Sequence, residues 1–293
     1  MAESEAAGVL IVLPTLGDRP EQLRLALKSI QTQTYPHWRC VIIGDGMSED
    51  QAKAVSPLIA GDARMDLLRL AKSKRRGEPH RHDQIAAADP IRFPFVAYIC
   101  DRDLWFPEHL EWAVEQLTEH PFGFYVAQGL GVTKKQEFWP MQNPCNVWSI
   151  PPPPRKPHPE ASFPLSAVVH SRALYDQTTG WTTTPRTEKE TDVFMWRKLL
   201  AVPEHRVCST QLASYLYFAK VEFGEAWSRH AEIASGLVTE MEIDAKGLRQ
   251  RAFNQHIERT TILYRKWNRR WLLFYRGRHR VLRKITWLFS PFS

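Results

Sequence analysis

Along the first 120 residues, short apolar runs alternate with stretches of helical period. VLIVLP (Val9 to Pro14), RCVIIGD (Arg39 to Asp45), MDLLRLA (Met65 to Ala71) and FVAYICD (Phe95 to Asp101) are brief, mostly apolar and bounded by polar residues, the pattern of buried strands. Between and after them, RPEQLRLALKSIQTQ (from Arg19), SEDQAKAVSPLI (from Ser48), RHDQIAAAD (from Arg81) and FPEHLEWAVEQLTEH (from Phe106) read as helices. Pro20 and Pro107 stand in first turns and Ser48 is a cap. Strands alternating with helices predict an α/β fold with a mostly parallel sheet covered on both faces. Ligands of such sheets bind beyond the carboxyl ends of the strands, so Thr15 to Arg19, Asp45 to Ser48 and Asp101 to Asp103 are expected along one edge.

Past residue 125 the pattern weakens. Gln142 to Glu160 holds a run of prolines that predicts an extended or polyproline loop. FPLSAVVH (Phe163 to His170) and STQLASYLYF (Ser209 to Phe218) read as strands, and the chain turns helical from Leu237. TEKETDVFMWRKLLA (Thr187 to Ala201) has the 3.6 period, with Val193, Trp196 and Leu200 on one face. The division expected is a domain over residues 1–225 and a helical extension over 226–293.

Composition adds little to this picture until charge is mapped onto it. Ten Lys or Arg and no acidic residue follow Glu258, so the net charge of +7 becomes −3 once they are set aside. On a helix, Leu263, Trp267, Trp271, Phe274, Val281, Ile285 and Phe289 share one face and Arg265, Arg269, Arg276, Arg280 and Arg283 the opposite one, with Arg278 interrupting the apolar stripe. Such a helix suits an anionic membrane surface, or packs on its own domain or a partner with the basic face in water. No nucleic-acid motif accompanies the charge. Cys40, Cys100, Cys145 and Cys208 lie far apart, which points to core residues rather than a zinc site or disulfides. Neither a secretory signal nor a spanning helix is expected, so the place expected for the chain is the cytoplasm, peripheral at the inner face of the membrane. No G-x-G-x-x-G follows the first strand and no P-loop occurs.

Three segments, in order, carry a resemblance. VLIVLPTLGDRPEQLRLALKSIQTQTYPHWRCVIIGDGMSED, FVAYICDRDLWFPEHLEWAVEQL and TTGWTTTPRTEKETDVFMWRKLL resemble the family 2 glycosyltransferases of GT-A fold, over roughly Val9 to Phe218. The resemblance implies a GT-A type, Rossmann-like sheet flanked by helices, with the basic helical tail as an extension. It also implies transfer of a sugar, with inversion, from a nucleotide-diphosphate donor to a hydroxyl on a glycan or lipid-linked glycan. A departing diphosphate is well met by a divalent cation, and Mn²⁺ or Mg²⁺ takes oxygen ligands.

By that resemblance Asp103 is a direct metal ligand and Asp101 lies nearer the ribose or a metal-bound water; on an extended segment the two would face the same way. Asp45 matches the base-binding position, with Pro14 and Thr15 lining the pocket, Asp18 and Arg19 at its rim, and Arg81 near the diphosphate. Asp192, with Glu190 close behind, is the expected general base. His170 ends a strand, where it either reaches the metal or is hydrogen-bonded structurally, and Trp181 either stacks on the acceptor sugar or packs. The chain departs from the family where Met47 is inserted after Asp45-Gly46, where Arg102, itself counted with Asp101 among the nucleotide-sugar-binding residues, separates the two aspartates, and where Thr191 separates Glu190 from Asp192. These departures keep a second reading open, a noncatalytic nucleotide-sugar or glycan-binding module.

Overall fold

A computed structural model describes residues 7–141, 163–224 and 226–288, the helix from residue 259 onward as backbone only. The proline-rich stretch from Gln142 to Glu160, and the tail side chains on which the membrane-surface expectation rests, lie outside the described residues.

The first half folds as its pattern predicts. β1 (Val9–Thr15), β2 (Trp38–Asp45), β3 (Met65–Leu70) and β4 (Phe95–Tyr98) run parallel, connected through α1 (Pro20–Gln31), α2 (Glu49–Ile59) and α3 (Glu78–Ala87). β1 lies between β2 and β4, so Val12 faces Val41 on one side and Tyr98 on the other, and a strand covered on every side can be apolar throughout. Ser48 and Gln51 close a capping box at the start of α2. α3 begins at Glu78, ahead of the expected Arg81, because Gly77 takes φ +79° as its cap and Pro79 fits the first turn.

Beyond β4 come β5 (Leu104–Trp105), α4 (His109–Thr118), β6 (Gly123–Val126), β7 (Gln128–Val132) and β8 (Phe138–Pro140). These are followed by β9 (Val168–Ser171), α5 (Arg172–Asp176), α6 (Thr191–Leu200), β10 (Arg206–Cys208), β11 (Ala213–Tyr217), α7 (Lys220–Phe223) and α8 (Trp227–Leu288). The main sheet has the order β10-β6-β9-β4-β1-β2-β3, with β9 antiparallel to both neighbours. A smaller sheet runs β5-β11-β7-β8. The segment read as a strand from Phe163 starts with a 3₁₀ turn at Leu165–Ala167 and becomes strand at Val168. In α6 the packed residues are Thr191, Met195, Trp196 and Leu199, so the buried face shares only Trp196 with the expected stripe.

Two hydrophobic clusters hold these layers. The larger fills both faces of the main sheet. In the smaller, Leu104, Phe106, Phe138, Leu216 and Phe218 pack on Ile233, Leu237, Val238, Met241 and Leu248 of α8. α8 breaks at Asp244 (φ −153°, ψ 77°), whose carboxylate accepts the Gly247 N–H at 2.7 Å and so caps the second half. Among the described residues no helix is long and apolar enough to cross a membrane.

Three buried histidines give the fold a pH dependence. Burial is the main cause that pushes His109 down to about 3, and His170 and His230 down to about 4. Each is therefore neutral in the folded chain where the unfolded chain, with an ordinary imidazole near 6.5, is protonated. The unfolded state then binds more protons, so stability is whole above about pH 6.5 and falls as pH drops toward the folded values, by up to about tenfold in the folding constant per pH unit for each histidine. Asp101 and Asp103, raised by burial, oppose this because they hold protons more tightly when folded. Comparing urea melts of wild type and His109→Asn from pH 7 to 5 isolates one imidazole, since the carboxyls are common to both. The stability difference is expected to change steadily with pH, and a pH-independent difference would contradict neutral burial of His109.

Candidate active site

The carboxyl ends of β1, β2 and β4 meet along one edge. Thr15, closing β1, donates from Oγ1 to Asp101 Oδ2 at 2.8 Å and accepts the Gly17 N–H at 3.0 Å. Arg19 reaches the same Asp101 oxygen through Nη2 at 3.1 Å, contacts the half-exposed Asp18 at 3.3 Å, and lies 4.8 Å over the ring of Trp227. Burial raises the Asp101 carboxyl, with Arg19 and Thr15 acting against it. Pro14 is half-buried in β1, paired in register with Ile43.

Residues 100–103 form a turn, closed by Asp103 N–H donating to the Cys100 carbonyl at 3.1 Å, and not an extended segment. The two carboxylates consequently diverge. Asp103 is fully buried; its Oδ2 accepts from Ser166 Oγ at 2.6 Å and its Oδ1 from the Phe218 N–H at 3.0 Å. Both oxygens thus pin the turn to β11 and to the 3₁₀ turn that precedes β9. Arg102 is anchored on the same side, donating from Nε to the Phe218 carbonyl at 3.0 Å, while its own carbonyl accepts from His230 Nε2 at 2.9 Å.

Asp45, at the end of β2, is held by its neighbours in the loop before α3. It is salt-bridged to Lys72, accepts from Ser73 N–H at 2.6 Å and Ser73 Oγ at 3.0 Å, and has His80 Nε2 at 3.6 Å. Burial works against its charge, but the bonds to Lys72 and Ser73 outweigh it and hold the carboxyl below the usual range. The loop also grips its other side, where Arg75 donates to the Glu188 carbonyl at 3.1 Å and the Arg76 carbonyl accepts from Arg81 Nη2 at 2.8 Å.

Arg81 has 4% of its side chain exposed and lies 4.5 Å over the Trp181 ring. Its Nε and Nη1 are buried without an acceptor, and Asp192 Oδ1 is 4.0 Å away, too far for a hydrogen bond. Asp192 sits in the first turn of α6, 29% exposed, and accepts from Thr191 Oγ1 at 3.1 Å. Glu190 is the exposed N-cap residue of α6 and makes no cap bond.

Trp181 does not present a stacking face. It is 2% exposed, donates from Nε1 to Tyr98 OH at 3.0 Å, and packs edge-on against Tyr98 and Trp196, so it is a core residue. His170 is likewise committed: Tyr98 OH lies 2.8 Å from Nε2, the Ser171 carbonyl 2.9 Å from Nδ1, and Tyr175 stacks on the ring. His170 pairs in register with Val96, well back along β4 from Asp101. The expected metal ligands Asp103, Asp101 and His170 therefore do not assemble. Among the described residues no group of three or more His, Cys, Asp or Glu is placed to hold a metal ion. A divalent cation needs oxygens turned toward it, whereas each oxygen of the buried Asp103 is turned to a donor within the chain.

Cys100, read from sequence as core, is half-buried at the head of the turn. Burial first, then Asp103, with Asp192 and Asp101 adding and Arg102 opposing, pushes its thiol up to about 12, which places it electrostatically between the aspartate turn and Asp192. Lys72, Ser73 and Ser166 were also unmarked. The basic run KSKRRG just before a Pro-initiated helix is the one signal in the sequence that could have drawn attention to the loop.

No protein-family model matches the chain, and no curated protein does. Solved structures do resemble it. S. aureus TarS residues 1–349 in complex with UDP matches with a TM-score of 0.51 at 15% identity over 78% of this chain and 65% of that one. The same fragment with UDP-GlcNAc gives 0.50 at 15% identity over 73% and 59%. Mannosyltransferase PcManGT from Pyrobaculum calidifontis in complex with GDP-Man and Mn²⁺ gives 0.50 at 16% identity over 71% and 56%. The chain thus spans roughly six-tenths of the length of these structures. It has their fold, a mostly parallel α/β sheet flanked by helices, as the sequence predicts.

Proposed function

We propose that the chain is a glycosyltransferase that moves a sugar from a nucleotide-diphosphate donor to a hydroxyl acceptor on a glycan or lipid-linked glycan. The observation that carries this reading is Arg81, a buried guanidinium with two unpartnered N–H groups at the ligand-binding edge of the sheet, beside a half-open carboxylate. Buried donors of this kind are costly unless something accepts from them, and charged guanidinium N–H groups suit phosphate oxygens. The neighbours named above hold UDP, UDP-GlcNAc or GDP-Man on the same fold, which supports a nucleotide at this edge.

In this reading the base lies against Pro14, Thr15 and Asp45, the diphosphate against Arg81, and Asp192 takes the proton of the acceptor hydroxyl as it attacks the anomeric carbon from the face opposite the leaving diphosphate, inverting it. Asp45 is engaged by Lys72 and Ser73, so a base that hydrogen-bonds it has to displace that loop. The Mn²⁺ or Mg²⁺ expected from the sequence finds no group of three or more His, Cys, Asp or Glu among the described residues. A membrane-bound acceptor would give the basic tail a use.

A thermal-shift panel of UDP, GDP, CMP and dTDP sugars, each with and without Mn²⁺, tests the reading. One donor class at about a hundredfold over its Kd is expected to stabilise the fold by roughly 2.7 kcal/mol, a midpoint rise of several degrees. No rise with any donor under either condition overturns it. The locked Asp103 favours a second reading, a nucleotide-sugar-binding module without turnover. That reading predicts the same shift with no release of nucleoside diphosphate.

A further inference from the structure

We infer that the chain holds its donor's diphosphate with guanidinium groups in place of a divalent cation, Arg81 foremost. The inference rests on the donor-binding reading above and departs from what the resemblance implies about metal. Two independent observations lead to it.

The first concerns the carboxylates. A turn at residues 100–103 sends Asp101 and Asp103 to different partners, and each oxygen of Asp103 accepts from within the chain, one from Ser166 and the other from the Phe218 amide. Asp101 already carries Thr15 and Arg19 on one oxygen, so its charge is balanced from within the chain. The residue between them is Arg102, fixed by the Phe218 carbonyl. The edge where a metal would need negative ligands is laid out with arginine against aspartate.

The second concerns Arg81. Its Nη2 is used by the Arg76 carbonyl and its ring-facing side by Trp181, yet Nε and Nη1 have no acceptor and Asp192 stops 4.0 Å short. The unpartnered Nε and Nη1 lie on different edges of the guanidinium, since the Nε–H edge is shared with Nη2, so they can donate to two separate oxygens of a diphosphate, a spread that a point cation does not reproduce. Release of the Arg76 carbonyl, by the loop movement that also frees Asp45, would add a further donor. A guanidinium stays charged at any working pH, so the counter-charge is permanent and needs no ion from solution.

The test is calorimetric titration of the full-length chain with UDP and with GDP, in EDTA and in excess Mn²⁺. The better-bound nucleotide is expected to bind with Kd values within about threefold of each other in the two buffers, since a fixed charge does not depend on added ion. Arg81→Gln and Arg81→Lys are each expected to weaken it about 10- to 100-fold in EDTA, the cost of losing charged hydrogen bonds from a guanidinium. Binding of the corresponding nucleoside, which has no phosphate, is expected to stay within about threefold in both variants, which separates loss of the phosphate contact from loss of the fold. Binding that vanishes in EDTA and returns with Mn²⁺ overturns the inference while leaving the donor reading intact. So does an Arg81→Gln chain that binds as wild type. No binding of either nucleotide in either buffer overturns the donor reading, and the inference with it.

Discussion

Asp192→Asn is expected to lower turnover by about 10²- to 10⁴-fold, the usual worth of a positioned general base, while donor affinity stays within a factor of a few. The reasons are positional. Asp192 is in the first turn of α6, where the helix N-terminus favours a carboxylate, and Thr191 Oγ1 orients one of its oxygens at 3.1 Å. At 29% exposure the side chain is open enough for an acceptor hydroxyl to reach it, yet it lies beside Arg81 and within electrostatic reach of Cys100. Asn keeps the size and one acceptor but cannot take a proton, so the loss falls on kcat. Glu190 provides the internal comparison. It is exposed at the N-cap and makes no cap bond that would orient it, so Glu190→Gln is expected to change turnover less than Asp192→Asn by at least an order of magnitude. Steady-state release of nucleoside diphosphate, measured at saturating donor and varied acceptor, checks both. An Asp192→Asn chain as active as wild type would remove it from the mechanism, and the reverse ranking would move the base to Glu190.

Asp192 is marked out by the family resemblance rather than by local pattern, whereas the central strands are legible from pattern alone. β1 and β2 match their apolar runs to within a residue at each end, since a buried parallel strand is apolar nearly throughout and stops where polarity returns, and β3, at the sheet edge with Asp66 and Arg69 in it, still follows its run of leucines. β6, β7 and β8 left no such trace. They are short, and β7 reads QGLGV because the Tyr215 and Trp139 rings lie on its backbone where side chains of Gly129 and Gly131 would stand. A strand whose neighbours supply its packing carries little pattern of its own.

The relative facing of the aspartate pair was illegible for a different reason. Two carboxylates one residue apart face the same way only if the backbone is extended, and the tight turn from Cys100 to Asp103 reverses that. The partners that fix the turn, Ser166 and Phe218, are 63 and 115 residues away from Asp103 in sequence. No local pattern could announce them. The loop that binds Asp45 was closer to legible. Its basic run was visible, but whether those charges face water or a carboxylate at the end of a neighbouring strand is decided by the β2–β3 register, which places Asp45 opposite Leu70 just before Lys72.

Trp181→Ala is expected to cost about 3–5 kcal/mol of stability, the range for removing a large aromatic side chain from a packed core. The sequence left open whether this ring packs or receives a sugar, and the two roles predict opposite results. Trp181 meets Tyr98 edge-on at 5.7 Å and Trp196 at 5.6 Å, carries Arg81 on one face, and gives its N–H to Tyr98 OH. Alanine would open a cavity between the Tyr98 and Trp196 rings, which relaxes poorly because Tyr98 is also tied to His170. Trp181→Phe keeps most of the packing and loses chiefly the hydrogen bond, for which about 0.5–1.5 kcal/mol is expected. Urea unfolding at pH 7 separates the outcomes. A packed Trp181 gives a large fall in midpoint for Ala, a small one for Phe, and an unchanged slope. A ring that served the acceptor would instead leave the Ala midpoint near wild type and raise the acceptor KM. Because Arg81 rests on this ring, the Ala chain is also expected to bind donor more weakly where it remains folded, which ties the core beneath the edge to the charge presented at it.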